Sequence, residues 1–168
     1  MSFSVYDASI PPMIRMLENL SKLLDKAVKQ AEERKLPLSE LLEARLAPDM
    51  HPLPRQIQIT SDAAKGTAAR LAGMETPSFP DTETTFPELQ SRISRTVDFL
   101  KSVAPEKLQG ADDRTVTVKF PQGEMSFTGK EFLTNLALPN FYFHVTTAYG
   151  LLRHKGIEIG KRDYLGGH

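Results

Sequence analysis

Between Ile10 and Ala31 apolar side chains recur at spacings of three and four: Ile10, Met13, Ile14, Leu17, Leu20, Leu24, Ala27, Val28 and Ala31. Arg15, Glu18, Lys22, Lys26, Lys29 and Glu33 fall on the other side. That pattern is one face of an amphipathic helix about six turns long. A helix of that length cannot cover its own apolar face, so the chain must bring other elements against it and build a helical core. The helix is expected to begin near Ser9 or Pro11, where Asp7 and Ser9 are cap-type residues and proline suits a first turn, and to end at Lys35-Leu-Pro-Leu38.

Three further helices follow from the same reasoning. Ser39 to Leu46 reads as a short helical turn within a connection. Asp49 is expected to cap the second long helix, with Pro52 and Pro54 in or near its first turn. Leu53, Ile57, Thr60, Ala64, Thr67, Ala68 and Leu71 form its inner face, and Gly73 ends it. The third long helix spans Phe86 to Val103 behind Thr84 or Thr85. Thr115–Phe120 and Met125–Thr128 then alternate with period two around Pro121-Gln-Gly-Glu124, the mark of a β-hairpin. Thr128 or Gly129 introduces the fourth helix, which is expected to kink at Pro139 and stop at Gly156. The tail from Ile157 is expected to lie extended on the surface. Together these predict an all-α four-helix bundle, with a small β-hairpin inserted before the last helix, as one domain over residues 1–168.

Several function classes fall away on composition. Lysine plus arginine and aspartate plus glutamate both number 21, and the basic residues are scattered among acidic ones, so no field or stripe favours nucleic acid. The chain has no cysteine, which removes thiol catalysis, disulfides, iron–sulfur clusters and thiolate-bound zinc. No apolar run approaches the roughly 20 residues of a membrane span, and the N-terminus lacks the features of a signal peptide. The expectation is a soluble, cytoplasmic protein.

The candidate chemistry centres on His144. On a helix, Leu133, Ala137 and Asn140 precede it and Thr147, Ala148 and Leu151 follow it on one face, so an imidazole and a carboxamide are expected to point into the core. Buried polar groups need partners. His154 lies about 80° away and nearly three turns further along, so the two cannot share a metal within a regular helix. His51, at the start of the second helix, could approach the bundle mouth. A hydrogen-bonded core or pocket histidine is the simpler reading, and His144 as a metal ligand the sharper one. Asp49 reads as a cap, and Asp62 as an ion-pair partner of Lys65 or Arg70. Ser61, Asp62 and His144 make a nominal triad of the kind chance supplies. The run Phe141-Tyr142-Phe143 covers most of a helix circumference, so one ring at least faces outward, as a homodimer contact or the wall of a small-molecule pocket.

The segments Leu46-Ala-Pro-Asp-Met50, Gln56 to Gly66, Thr82-Glu-Thr-Thr-Phe86, Phe127-Thr-Gly129, Leu138 to Tyr149 and Arg153-His-Lys-Gly156 carry a resemblance over nearly the whole chain. It resembles an uncharacterised bacterial family within the DinB/YfiT-like superfamily. The resemblance implies an antiparallel four-helix bundle, frequent homodimers, and a divalent metal such as zinc or nickel on three histidines, one on the second helix and a His-x3-His pair on the fourth. His144 matches the second histidine of that pair, with Arg153 and Gly156 in later positions. Asn140 stands where the first belongs, and Gln56 falls near the second-helix position. Carboxamides are poor ligands for zinc or nickel. The resulting expectation is a dimeric bundle whose former metal site, at His144, Asn140 and Gln56 with Asp49 and Asp62 nearby, is a small-molecule pocket or a structural core. The alternative is a metal-dependent or histidine-based enzyme, hydrolase or thiol-transferase-like, using His144.

Overall fold

The computed structural model describes residues 4–167. Helix α1 runs Val5–Glu33. It begins one turn before the expected start, because Ser4 and Asp7 form a reciprocal cap: the Asp7 N–H donates to Ser4 Oγ (3.1 Å) and the Ser4 N–H donates to the Asp7 carboxylate (3.0 Å). Pro11 and Pro12 therefore sit inside the helix rather than at its first position. A short helix, α2, covers Leu38–Leu42, and α3 covers Leu53–Ala72. Asp49 does not cap α3. The N-cap is Pro52, without a side-chain hydrogen bond, and Asp49 lies exposed in the turn upstream. Proline already removes donors that a cap would satisfy, which makes an aspartate there dispensable. Helix α3 ends at Gly73, in the left-handed region at φ 65°. Helix α4, Phe86–Ser102, is capped by Thr85 and Glu88 as a reciprocal box.

After a 3-10 turn at Pro105–Leu108, strands β1 (Thr115–Phe120) and β2 (Gly123–Thr128) pair antiparallel. Phe120 faces Gly123 across a two-residue turn, so β2 starts two residues earlier than the sequence suggested. The short helix α5, Gly129–Glu131, leads into a π-helical segment, Phe132–Ala137, and then into α6, Leu138–His154. The fourth helix is thus interrupted. Pro139 cannot donate to the preceding turn, and the widened π turn just before it takes up the mismatch. The tail is not simply extended. Ile157 and Ile159 are buried, and Lys161–Tyr164 forms a short helix, α7. Asn19 Nδ2 of α1 donates to the Tyr164 carbonyl (3.1 Å), which ties the tail down.

The molecule is thus mostly helical with one two-stranded hairpin. Helix α3 packs chiefly on α6 and α4, and α1 on α4 and α6. Their shared core includes Leu17, Leu20 and Leu24 of α1, Ile57, Ala64 and Ala68 of α3, Leu89 and Leu100 of α4, and Phe141, Val145 and Leu151 of α6. The alanines of α3 lie at its centre, where small side chains let neighbouring backbones approach. Gly129 plays a similar part where β2 meets α5: a Cβ there would overlap the Ala111 carbonyl oxygen, and the Lys130 N–H donates to the Asp112 carbonyl (2.9 Å). Among the described residues no helix is long and apolar enough to cross a membrane.

Candidate functional site

The seam between α3 and α6 holds His144. Its residue is 9% exposed, and its Nδ1 lies 2.7 Å from Gln56 Oε1. The carboxamide orientation follows from the next contact: Gln56 Nε2 donates to the His51 carbonyl (3.1 Å), which can only accept. Gln56 Oε1 must then accept from His144, so the proton of the neutral ring is assigned to Nδ1. That leaves Nε2 with its lone pair. Arg92 Nε is the one fully enclosed side-chain polar atom without a partner among the described residues, so His144 Nε2 meets solvent. Burial holds the imidazole below its ordinary pKa, and the nearby His51 and Arg55 lower it further. The ring is therefore a neutral, oriented acceptor. Phe143, 56% exposed, stands edge-on to it with centroids 5.1 Å apart.

Asn140 does not join this pair. It is exposed and lines a separate cleft with Ala63 and Thr67 of α3. The expectation of a carboxamide pointing into the core beside His144 is corrected accordingly. Asp62 is also elsewhere. It lies six positions beyond Gln56, about 120° round α3, and faces α4. There its carboxylate is 2.8 Å from Arg92 Nη2 and 3.0 Å from Lys65 Nζ. The pairing with Lys65 is as expected and the one with Arg70 is not formed. Ser61 Oγ is 2.7 Å from Thr96 Oγ1 in the α3–α4 interface, so Ser61, Asp62 and His144 form no triad. His51 is exposed ahead of α3 and touches the site through its carbonyl.

The Asp62 network was the part least visible beforehand. The Arg92 side chain is 0% exposed and also pairs with Asp81 and Glu83, both at 3.0 Å. Lys65, at 2%, donates to the Pro77 carbonyl (2.9 Å) and sits 3.8 Å from the Phe79 ring centroid. Arg95 covers the same ring at 4.0 Å. These contacts bind the loop 77–83 to α3 and α4. Periodicity did not mark them, because both cations fall beside the apolar stripes of their helices: Lys65 lies about 60° round from Ala68 and Arg92 about 60° round from Leu89. The arrangement is structural and presents no free nucleophile or base.

The donors at the α3–α6 seam do not suit a tight zinc or nickel centre. His144 Nδ1 is committed to Gln56, Asn140 faces another cleft, and among the described residues no three His, Cys, Asp or Glu side chains converge.

Comparison with known proteins places the chain. The family model described as Domain of unknown function (DUF1993) matches residues 5–165. A crystal structure of a DinB family member protein from Shewanella denitrificans superposes with a TM-score of 0.90 at 42% sequence identity, covering 98% of this chain and 93% of that one. Among curated proteins, none matches.

Proposed function

The chain belongs to the DUF1993 family, and from that premise we propose that it is a non-catalytic, small-molecule-binding or structural protein of DinB-like type. In this reading α1, α3, α4 and α6 form an antiparallel four-helix bundle, one domain that pairs into a cytoplasmic homodimer. The place that holds a metal in the superfamily is here a hydrogen-bonded pair. One observation carries the reading: Gln56, itself anchored on the His51 carbonyl, accepts from His144 Nδ1. A single open imidazole nitrogen gives too few ligands for tight zinc or nickel. The half-exposed Phe143 and Leu46 supply apolar surface for a second copy.

The reading is tested by elemental analysis of untagged protein together with melting curves for His144→Ala. It predicts no stoichiometric metal after incubation with zinc or nickel, and a loss of stability in the variant. A metal bound one to one and lost in His144→Ala, with the melting temperature unchanged, contradicts it. A second reading rests on His144 Nε2, which is neutral, oriented and open to solvent, as a general base requires. That enzyme, a hydrolase or thiol-transferase-like protein, would lose turnover in His144→Ala while His144→Gln kept the fold.

A further inference from the structure

We propose that the cleft between α3, β1 and the π-helical segment binds a small organic carboxylate, with the acid group on Arg70 and Asn140 and an apolar body against Phe120 and Phe132. The cleft has a volume of about 200 Å³. Apolar cavities of about 150 Å³ accept benzene, so the space suits a single ring or a short alkyl chain rather than a larger ligand.

Its walls divide by chemistry. Val118 and Phe120 of β1 and Phe132 and Leu136 of the π segment are apolar, and no lining residue is acidic. The hairpin and the π turn thus converge on one cleft. π turns recur at functional sites because the extra residue re-aims the side chains around it. The polar rim is Arg70, Thr67 and Asn140. Thr67 Oγ1 already donates to the Ala63 carbonyl (2.7 Å), so the donors left for a ligand are the Arg70 guanidinium and the Asn140 amide.

Arg70 is placed for this. It makes no ion pair among the described residues. Its guanidinium folds back one turn over Gly66, where a Cβ would overlap Nη1. Glycine at 66 therefore lets the cation lie along the helix beside the cleft. A planar guanidinium fork matches a carboxylate, and one cation above an apolar floor matches one negative charge with an apolar tail.

The cleft includes neither His144 nor Gln56. Zinc uptake at His144 would therefore leave this inference standing, and failure here would leave the His144–Gln56 reading standing. The test is a titration of the full chain with sodium benzoate at constant ionic strength, followed by 1H–15N spectra. Benzamide keeps the ring without the charge, and acetate the charge without the ring. Benzoate is expected to give saturable shifts at Phe120, Phe132, Leu136 and Asn140, with both controls about tenfold weaker. Arg70→Gln, at an exposed position that leaves the fold intact, is expected to weaken benzoate about tenfold. Gly66→Ala, which keeps the charge but crowds the guanidinium, should also weaken it. Absence of saturable shifts up to about 20 mM benzoate, equal shifts from benzamide, or full affinity in either variant overturns the proposal.

Discussion

His144 Nδ1 lies 2.7 Å from Gln56 Oε1, joining the last long helix to α3 through one buried hydrogen bond. The carboxamide of Gln56 is fixed at its other end by the His51 carbonyl, 3.1 Å from Nε2. This three-part chain determines which ring nitrogen carries the proton. It also ties the turn before α3 to α6. Removing either side chain should cost about 1–3 kcal/mol, because the partner is left in a site closed to most water. Denaturant unfolding of His144→Ala, Gln56→Ala and the double variant checks this. The double variant should be more stable than the sum of the singles predicts, by about 1 kcal/mol.

The same pair predicts a pH dependence. Burial lowers the folded-state pKa of His144 from an ordinary value of 6.5. The unfolded chain then binds the proton more readily than the folded one, so stability rises with pH in this window. The contribution is complete above about 6.5, is lost as pH falls below that value, and levels off beneath the folded pKa. Melting temperatures of the wild type and His144→Gln, measured from pH 7.5 to 5, should converge on the neutral variant's flatter profile only above the window. Equal slopes throughout would remove the effect from His144.

Arg92 should be among the least replaceable side chains in the protein. It is fully enclosed and faces Asp62, Asp81 and Glu83. Arg92→Met leaves the largely enclosed Glu83 without its cation and releases the loop 77–83, with an expected cost of about 3 kcal/mol or more. Arg92→Lys should recover little, since an ammonium cannot reproduce the fork that serves several carboxylates. Limited proteolysis should cut the loop in the variants before any helix unfolds.

Two glycine-to-alanine changes should differ sharply. At Gly129 the new methyl meets the backbone oxygen of Ala111, which cannot move without breaking the junction of hairpin and helix. The expected cost is about 3 kcal/mol or more. At Gly66 the obstacle is the far end of Arg70, which can swing away. Gly66→Ala should keep its stability within about 0.5 kcal/mol, helped by the better helix propensity of alanine. Thermal melts of the two proteins side by side check both.

The helical architecture was legible because its signals are local and repeated. The stripe from Ile10 to Ala31 states its own period, Thr84 or Thr85 marked the start of α4, and the alternation of Thr115–Phe120 and Met125–Thr128 marked the hairpin, though not the first two residues of its second strand. What was missed depends on partners. Ser4 and Asp7 begin α1 upstream of two prolines that looked like its start. Asn140 sits at helical spacing from His144, yet it is exposed in the cleft it lines with Ala63 and Thr67. Arg92 and Lys65 fall beside the apolar stripes of their helices, and although both meet Asp62 of α3, the other carboxylates on Arg92, Asp81 and Glu83, come from a loop that carries no periodicity. Gln56 entered only through family resemblance, and its contact with His144 is a matter of helix register that no local pattern reports.

The most direct test is the long-range 1H–15N spectrum of the histidine rings at neutral pH, recorded before and after one equivalent of zinc. His144 is expected to be a single neutral tautomer, protonated at Nδ1, whose signals do not change with zinc. A ring protonated at Nε2, or a His144 signal that shifts to a zinc-bound position at one equivalent, would contradict this and favour a metal site at His144.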